Sequence, residues 1–565
     1  MPSPLAPPYG GLLLNLLASE ERAAELKERS REMPSWSLEP RQLADLELLL
    51  DGAFSPLKGF MGRSDYDGVC RDLQLANGTF WPTPVTLDVS AEVGESVEPG
   101  GSLALRDVEG TLLAVLKVEE VWTPDREAEA KSVCGTTDPE HSCARRLLRE
   151  AGPTYVGGPV EGVEAPHHYD FVERRATPAE LRDQFGKWGW RRIAAFHTAT
   201  VMHRAEQEMT FAAVRDLEAA LVVQLGVART DYYDVGHYSR IRCVEAVMKT
   251  YPHRTAHLNL LSLAARDAGA RDVLLNALVA QNYGCSHYLV RGATAGAADD
   301  LVAQKGGELG IELVRAPERV YLPDRGGFAA EDAVPQGAEA KALTPDGLAE
   351  RLAFGREIPD WFSFPDVVRE LRRSSPPRSR QGFTVFFSGL PSSGKSTLAN
   401  VLLVRLLERG GRPVTLLDGD IVRKNLSSEL GFSREHRNLN IARIGFVASE
   451  ITKNGGIAIC APIAPFDAVR KDVRAMIEAG GGFLLVHVAT PVEVCEKRDR
   501  KGLYAKARAG IIKEFTGISD PYEVPEDAGM AIDTAERSPE ECVQAILLHL
   551  EKEGYIGRPL RENGA

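Results

Sequence analysis

The residues best suited to chemistry lie at 389–397, which read Gly-Leu-Pro-Ser-Ser-Gly-Lys-Ser-Thr. This is the G-x-x-x-x-G-K-[ST] pattern of a phosphate-binding loop. The apolar run 383–387 before it predicts a buried parallel strand, and apolar residues at helical spacing over 398–408 predict a helix after it. In that setting the loop amides and the helix N-terminus surround phosphate oxygens. The segment therefore predicts a site for ATP or GTP rather than a chance glycine-rich turn.

Four side chains near this loop have expected roles. Lys395 is expected to reach the β- and γ-phosphate oxygens, and the Ser396 hydroxyl to hold magnesium. Asp418 and Asp420 follow a predicted strand at 414–417. There they are placed to order magnesium and to accept a proton from an acceptor hydroxyl. For one of the two carboxylates the alternative is a helix N-cap or turn residue.

Cationic residues follow the two carboxylates. Arg423, Arg437 and Arg443, with Asn440, suit an anionic second substrate because arginine binds oxyanions bidentately. The alternative is a solvated helix face. The segment 501–510 is basic and contains glycine near both ends. It suits a mobile lid over phosphates, and its alternative is a surface helix with lysines in solvent.

Length and composition limit the remaining possibilities. A chain of 565 residues exceeds one hydrophobic core and predicts several domains. The net charge of -13 argues against nucleic acid as a partner. The eight cysteines show neither C-x-x-C nor metal-ligand spacing, which predicts a reduced, cytoplasmic setting. No stretch approaches the ~20 apolar residues of a membrane helix, so we expect a soluble protein without a membrane partner.

The pattern along the chain predicts an α/β multidomain protein. We expect a mainly β domain at 1–165, alternating strands and helices at 166–370 with a small C-terminal subdomain from 326, a Pro-rich linker at 371–380, and the phosphate-loop domain at 381–565. The alternation predicts a parallel, doubly wound sheet. The predicted strands outside the loop region lie at 83–89, 111–118, 193–196, 220–224, 287–290, 456–460 and 483–488, and the predicted helices at 20–31 and 272–282.

Residues 382–560 resemble adenylylsulfate kinase (APS kinase). The resemblance is carried by 389–397, 417–420, 430–433, Arg437 with Asn440 and Ile441, 501–517 and 520–523. It implies a P-loop kinase with a parallel sheet. It also implies transfer of the ATP γ-phosphoryl group, with Mg²⁺, to the 3′-hydroxyl of adenosine 5′-phosphosulfate, which gives PAPS.

The resemblance also implies roles for individual residues. Asp420 is the general base, Asp418 and Ser396 hold magnesium, and Lys395 contacts the phosphates. Phe432 and Phe515 sandwich the adenine of the sulfated nucleotide, and Lys501 belongs to the lid. The acceptor site comprises Arg423, Phe432, Arg437, Asn440, Ile463, Lys501 and Phe515. The ATP site comprises Gly389, Leu390, Pro391, Ser392, Ser393, Gly394, Lys395, Ser396, Thr397 and Arg498, which lies against the adenine.

This chain departs from the kinase pattern at three positions. Ala464 stands where some members carry a phosphorylatable serine, so we expect direct transfer without a phosphoenzyme. Ile511 stands where glutamate is common. Ala442 replaces a family arginine, which leaves more of the anion binding to Arg443.

Residues 1–370 resemble ATP sulfurylase (sulfate adenylyltransferase). The matching stretches are 51–57, 77–82, Gly135 and Thr136 with Asp138 and His141, and 282–287. The resemblance implies a PUA-like β domain followed by a Rossmann-like nucleotidyltransferase domain.

The catalytic stretches of that family differ here. The family's Gln-Thr-Arg-Asn and Pro-x-His-x-x-His become 197–200 and 201–206, so Ala199 replaces the arginine and Glu206 the second histidine. Its Gly-Arg-Asp-His-Ala-Gly loop becomes 291–296, which lacks the aspartate and the histidine. Loss of one preorganised donor costs about 2.7–4 kcal/mol. We therefore expect negligible sulfurylase activity, and His203 is expected to be structural.

The leading hypothesis is an adenylylsulfate kinase fused to an inactive sulfurylase-like domain with a structural or regulatory role. One alternative is a bifunctional enzyme that also makes adenylylsulfate, with Arg291 substituting for the lost arginine. Another is an N-terminal part that binds a nucleotide or assembles subunits without chemistry. The resemblance implies a homo-oligomer, either a dimer or a hexamer.

Overall fold

The computed structural model describes residues 5–227, 235–292, 294–305 and 309–557. They form two compact units. The first contains Met1–Leu343 and Pro359–Ser374, and the second contains Thr344–Ile358 and Ser375–Ala565. Among the described residues, every helix is too short or too polar to span a bilayer.

The first unit begins with the expected β-rich domain. Its sheet runs β1-β4-β5-β7-β2, β3 and β6 also pair with β7, and β1–β4 is parallel while the other pairs are antiparallel. Its strands are β1 (Ser35–Ser37), β2 (Gly59–Phe60), β3 (Leu87–Val89), β4 (Ser102–Arg106), β5 (Leu112–Lys117), β6 (Glu120–Trp122) and β7 (Thr154–Gly162). Its helices are α1 (Glu20–Arg29), α2 (Pro40–Leu50), α3 (Arg63–Asp72), α4 (Ala91–Ser96), α5 (Arg126–Glu129) and α6 (Ser142–Arg145), with π-helical turns at Ala130–Cys134 and Arg146–Glu150.

Two features of this domain differ from the sequence-based expectations. The strand predicted at 83–89 is confined to β3, because Pro84 has no N–H to donate to a ladder. Cys134 and Cys143 form a disulfide, which the cysteine spacing did not predict.

The rest of the first unit is the alternating α/β domain. Its parallel sheet runs β10-β9-β8-β11-β12, and a small antiparallel hairpin of β13 and β14 follows. The strands are β8 (Ile193–Thr198), β9 (Ala220–Gly226), β10 (Ala256–Leu261), β11 (His287–Arg291), β12 (Glu312–Ala316), β13 (Arg319–Leu322) and β14 (Gly327–Ala330). The helices are α7 (Pro178–Trp188), α8 (Arg204–Asp216), α9 (Val235–Met248), α10 (Ala270–Asn282), α11 (Thr294–Lys305) and α13 (Pro365–Ser374). The helix between the last two in the chain, α12 (Pro345–Ala353), belongs to the second unit.

The second unit is a P-loop fold. Its parallel sheet runs β16-β17-β15-β18-β19. The strands are β15 (Phe383–Gly389), β16 (Val414–Asp418), β17 (Ile457–Ala461), β18 (Gly482–Val488) and β19 (Met530–Ile532). The helices are α14 (Lys395–Arg409), α15 (Gly419–Asn425), α16 (Arg434–Lys453), α17 (Asp467–Glu478), α18 (Val492–Arg498), α19 (Leu503–Arg508) and α20 (Pro539–Lys552). The chain therefore has the predicted α/β multidomain class: a β-rich domain, an α/β domain with a parallel sheet and a P-loop domain.

The central strand and the helix after the loop form the core of this unit. β15 is buried along its whole length, as its apolar sequence predicts, and α14 covers one face of the sheet. Leu402 of α14 is fully buried in that core, whereas Val404 on the same helix is 52% exposed. α14 thus presents one face to the sheet and one to solvent.

This difference in burial predicts the effect of two matched substitutions. Leu402→Ala leaves a cavity beneath β15 and should lower the free energy of unfolding by about 2–5 kcal/mol. Val404→Ala, on the exposed face, should change it by less than about 0.5 kcal/mol. Urea unfolding of the full-length protein, followed through the transition of the second unit, measures both. Equal midpoints for the two variants would contradict this placement of α14.

Candidate active site

The phosphate loop connects the end of β15 to the start of α14. Its two glycines are required by the backbone. At Gly389, φ is +156°, and a Cβ would lie 2.7 Å from the carbonyl oxygen of Val488. At Gly394, φ is +104°, and a Cβ would lie 3.3 Å from the Thr534 hydroxyl. These glycines let the loop curl against the sheet and open directly into α14.

Lys395 is the most buried charged group of the loop. It is 7% exposed, and its ammonium donates hydrogen bonds to the carbonyls of Gly389 at 2.9 Å and Leu390 at 2.7 Å. Burial lowers the pKa of Lys395 to about 8. The loop's own carbonyls therefore solvate this ammonium in the structure, and phosphate oxygens can take their place when a nucleotide binds.

A pair of oxygen ligands lies beside the lysine. The Ser396 hydroxyl donates to Asp418 Oδ2 at 2.7 Å, which joins the first turn of α14 to the end of β16. Hydroxyl and carboxylate oxygens at hydrogen-bond distance are the donor type that Mg²⁺ prefers. Asp420 lies in the first turn of α15, and its side chain falls outside the described residues.

The back of the loop is held by residues to which sequence reasoning assigned no role. The carbonyl of Ser393 accepts hydrogen bonds from the hydroxyls of Thr490 at 3.0 Å and Thr534 at 2.8 Å. Tyr504 of α19 donates to the carbonyl of Pro391 at 3.0 Å. Thr490 and Thr534 belong to no sequence motif, so their contacts with the loop could not be predicted. Tyr504 lies within the predicted lid, which was the one sequence feature that pointed to it.

The other predicted ATP-site residues extend this framework. Arg498 donates to the hydroxyl and the carbonyl of Thr534, both at 2.7 Å, so its guanidinium is anchored beside the loop. Ser392 has φ of +58°, the left-handed conformation that completes the turn. Thr397 is exposed in the first turn of α14. Lys501 precedes α19 and makes further contacts of its own.

The predicted acceptor-binding arginines are each engaged by protein atoms. Arg437 forms an ion pair with Asp520 at 2.6 Å and donates to the Thr516 hydroxyl at 3.0 Å. Arg443 donates to Glu429, and Arg423 to the carbonyl of Gly431 at 3.2 Å, among other contacts. These guanidiniums are therefore positioned by carbonyls and carboxylates before any substrate anion binds.

Two further predicted residues are Asn440, on the same helix as Arg437, and Ile463, beside the phosphate loop. Asn440 is 5% exposed, and its Oδ1 has no hydrogen-bond partner within the described part of the chain. A buried amide oxygen without a partner is rare unless a water or a ligand supplies the hydrogen bond. Ile463 contributes its carbonyl, which accepts from the Gly389 amide at 3.3 Å.

The two phenylalanines predicted to sandwich an adenine lie in different surroundings. Phe432 is 70% exposed, with the Arg423 guanidinium 4.4 Å from its ring centre. Phe515 is 9% exposed and packs edge-on against Tyr504, with the ring centres 5.0 Å apart. Phe515 is therefore part of the lid's own core in this structure, while Phe432 presents its ring to solvent.

A cavity of about 530 Å³ lies next to the phosphate loop. It is lined by Leu390 and by 517–522, so it includes the Asp520 that pairs with Arg437. The cavity therefore lies beside both a residue of the phosphate loop and the ion-pair partner of Arg437.

The stretches 197–206 and 291–296, which were compared with the sulfurylase pattern, lie at the carboxyl ends of β8 and β11. Ala199 follows β8 and is exposed. Glu206 accepts from the backbone N–H of His203 at 3.0 Å and pairs with Arg291 at 3.4 Å. In the loop at 291–296, Ala293 lies outside the described residues.

The two histidines of this region are uncharged at neutral pH. Burial lowers the pKa of His197 to about 4 and also lowers the pKa of His203. His203 hydrogen-bonds Ser363 at 2.9 Å through Nδ1 and lies against the Phe362 ring, 4.3 Å between centres. The expected structural role of His203 is consistent with these contacts.

Family models match this chain in three consecutive segments. A model of a PUA-like domain matches residues 6–165, one of ATP-sulfurylase 172–374, and one of adenylylsulphate kinase 381–533. The sulfate adenylyltransferase of Chaetomium globosum is 45% identical over 569 residues, which cover 98% of this chain and 99% of that protein. The chain belongs to the family that joins an ATP-sulfurylase domain to an APS kinase domain.

Other members of this family cover the chain equally well. The sulfate adenylyltransferase of Neurospora crassa is 44% identical over 570 residues, which cover 98% of this chain and 99% of that protein. A solved structure of a hexameric APS kinase from Thiobacillus denitrificans is 42% identical, with a TM-score of 0.82, and the match covers 98% of this chain and 99% of that one. The predicted fusion is confirmed, and the names of the relatives divide between its two activities.

The burial and the contacts of Lys395 predict how its replacement changes the affinity of the loop for ATP. In this fusion protein, Lys395→Met deletes a cation that donates to two loop carbonyls and to the Ser393 hydroxyl, and that is expected to contact the incoming phosphates. Charged hydrogen bonds of this kind correspond to a loss of roughly 10- to 150-fold in ATP affinity. Isothermal titration with ATP and Mg²⁺ measures the change. Lys453→Met, on the half-exposed surface of α16, is the matched control and should bind as the wild type does.

Proposed function

We propose that the second unit transfers the γ-phosphoryl group of ATP to the 3′-hydroxyl of adenosine 5′-phosphosulfate, giving PAPS and ADP. The observation that carries this proposal is a cavity lined by Leu390, whose carbonyl accepts from the Lys395 ammonium, and by Asp520, which pairs with Arg437. Lys395 and the Ser396–Asp418 pair lie on the nucleotide side, and Arg437 lies on the side of the acceptor. Phosphoryl transfer depends on such positioning of two anionic substrates more than on covalent chemistry.

The roles of the nucleotide-side residues follow from their contacts. Lys395 exchanges its loop carbonyls for β- and γ-phosphate oxygens, and the amides of 389–394 surround the β-phosphate. Ser396 and Asp418 would hold Mg²⁺, which when bound neutralises charge on the transferred group. Arg498, anchored on Thr534, would lie beside the adenine of ATP.

On the acceptor side, Arg423, Arg437 and Asn440 would hold the phosphosulfate. Asp420 would accept the proton of the 3′-hydroxyl as that oxygen attacks the γ-phosphorus. Ile463 and Lys501 complete the site as wall and lid. The adenine sandwich by Phe432 and Phe515 stays a prediction, because Phe515 packs against Tyr504 in this structure. Ala464 has no hydroxyl, so we propose direct transfer.

The role of Asp420 predicts a loss of turnover without a loss of nucleotide binding. Asp420→Ala removes the base and should lower kcat for PAPS formation by about 10²- to 10⁴-fold, while the affinity for ATP changes little. A coupled assay of ADP release gives kcat, and chromatographic separation of PAPS identifies the product. Asp472→Ala, an exposed carboxylate of α17, is the control. Full PAPS formation by the Asp420 variant would remove the assignment of the base.

Sulfate adenylyltransferase activity of the first unit is the second candidate function. The comparisons favour this bifunctional alternative over a kinase with an inactive partner domain, because whole-length curated relatives are named sulfate adenylyltransferase. A whole-length structural relative is titled an APS kinase. Because the relatives carry both names, the contacts within the first unit bear on whether it has sulfate adenylyltransferase activity.

These contacts argue for a weak sulfurylase site. Sulfate needs cations, yet His197 is neutral at pH 7 and Ala199 carries no charge. Arg291, the candidate substitute, is paired with Glu206 at 3.4 Å. A carboxylate at that place repels an incoming anion. We propose that this domain has a structural or nucleotide-binding role, and that it shares the chain with a working kinase.

A sulfate-dependent ATP–pyrophosphate exchange assay on the purified full-length protein separates the two candidates. We expect exchange near background, because the missing arginine alone corresponds to a loss of about 10²- to 10³-fold. Glu206→His with Ala199→Arg should raise the exchange above that of the wild type. Clear sulfate-dependent turnover by the wild type would establish the bifunctional alternative. Two adenylylsulfate molecules bound per chain without exchange, one more than the kinase domain takes, would support a nucleotide-binding module in the first unit.

Assembly and location extend this proposal. The structural relative from Thiobacillus denitrificans is described as hexameric. We propose a homo-oligomer for this chain, either a dimer or a hexamer. A cytoplasmic location stays a prediction.

A further inference from the structure

The hydroxyl of Tyr522 lies 2.7 Å from the hydroxyl of Ser388. Ser388 is the residue of β15 just before the phosphate loop, and its side chain is fully buried. Its single hydroxyl hydrogen faces two carbonyls, of Ile463 at 3.0 Å and Ala464 at 3.2 Å. Because that hydrogen is committed to carbonyls, the Tyr522 O–H donates to Ser388 Oγ. The hydrogen bond therefore points from 517–522 into the base of the phosphate loop.

Ser388 is connected to the loop through a shared acceptor. The carbonyl of Ile463 receives the Ser388 hydroxyl and also the amide of Gly389, the first residue of the phosphate loop, at 3.3 Å. The next residue, Ala464, is buried with φ of +46°, a conformation that costs energy for a residue with a Cβ. A change at Ser388 therefore reaches the start of the loop through one carbonyl.

Tyr522 is also part of the wall on the acceptor side. It lines the cavity of about 530 Å³ together with Asp520, which is paired with Arg437 at 2.6 Å. Its ring stacks on His487 of β18, with the ring centres 5.8 Å apart and the planes 20° apart. One short segment thus contacts both an arginine proposed to bind the acceptor and the strand that leads into the phosphate loop.

Arg470 fixes the neighbouring backbone of the same segment. It is 2% exposed and donates to the carbonyls of Ala464 and Glu523, both at 2.8 Å. The amide of Glu523 donates to the carbonyl of Pro465 at 2.9 Å. On the other side, the amide of Asp520 donates to the carbonyl of Phe515 at 3.1 Å. Because the backbone is held on both sides of Tyr522, a displacement of the Asp520 side chain is passed on chiefly through the Tyr522–Ser388 hydrogen bond.

We propose that Tyr522 is a positioning residue that couples the acceptor nucleotide to the phosphate loop through Ser388. This inference rests on the proposed kinase function. An anion that binds Arg437 competes with Asp520 for the same guanidinium, so binding of the acceptor shifts 520–522. Tyr522 transmits that shift to Ser388, and the carbonyl of Ile463 transmits it to Gly389. Coupling of this kind is reciprocal, so ATP affects acceptor affinity by the same factor.

The test measures that factor in the full-length protein. The affinity for a non-hydrolysable ATP analogue with Mg²⁺ is determined by isothermal titration, with and without saturating adenosine 5′-phosphosulfate. We expect a ratio different from one for the wild type. Tyr522→Phe, which keeps the ring and its stacking, should bring the ratio roughly 2- to 12-fold closer to one, the effect of one neutral hydrogen bond.

Ser388→Ala and a control at Tyr555 test whether the effect is specific to the Tyr522–Ser388 hydrogen bond. Ser388→Ala should bring the ratio closer to one as Tyr522→Phe does. The double variant should bring it no closer than either single variant, because both remove the same hydrogen bond. Tyr555→Phe, a half-buried tyrosine packed on Phe383 away from the cavity, should keep the wild-type ratio. Thermal unfolding checks that each variant is folded, and Ser388→Ala carries the test if Tyr522→Phe is not.

The remaining outcomes decide between this inference and the proposed function. A wild-type ratio of one, an unchanged ratio in folded Tyr522→Phe, or additive effects in the double variant would overturn the coupling. If the wild type forms no PAPS, the proposed function fails instead. PAPS formation with an unchanged ratio in Tyr522→Phe leaves the kinase in place and removes only the role of Tyr522.

Discussion

The nucleotide site depends on the burial of one charged side chain. The Lys395 ammonium is held by two carbonyls of its own loop, and burial lowers its pKa to about 8. A buried ammonium without such partners would be strongly unfavourable. The loop must therefore curl tightly enough to turn these carbonyls inward, which requires glycine at 389 and 394 and a rigid β15 beneath them. Anchors on Ser393 and Pro391 then hold the curl from behind.

The first unit depends on a different constraint, a buried set of charges between its two domains. Asp45 of α2 is fully buried and pairs with Arg266 at 2.7 Å and Arg41 at 3.1 Å. Loss of one partner of such a set leaves an uncompensated charge and is strongly destabilising. Arg271 of α10 adds hydrogen bonds to backbone carbonyls of the β domain, at Val69 and Pro82. These contacts hold the two domains together independently of the loops after β8 and β11.

The polar side chains of the loops after β8 and β11 are satisfied locally. Glu206 satisfies the N-terminus of α8 and pairs with Arg291, and His203 is held by Ser363. These side chains thus serve as helix cap, ion pair and packing contact. Polar groups that are paired in this way carry no penalty for an unsatisfied donor or acceptor.

The sequence by itself determined the architecture and the nucleotide half of the kinase site. The order of apolar strands, the glycine and lysine spacing at 389–397 and the carboxylate at the end of β16 are local patterns. The strands predicted in the α/β and P-loop domains form where their apolar sequences lie, whereas the strand predicted at 83–89 shortens to β3. Only the tertiary structure showed that Tyr522 meets Ser388 and that Phe515 packs on Tyr504. It also showed that Cys134 and Cys143 form a disulfide. The residues in each of these contacts are not spaced at a helix or strand period. The contacts depend on how the chain folds back on itself, so local sequence preferences could not predict them.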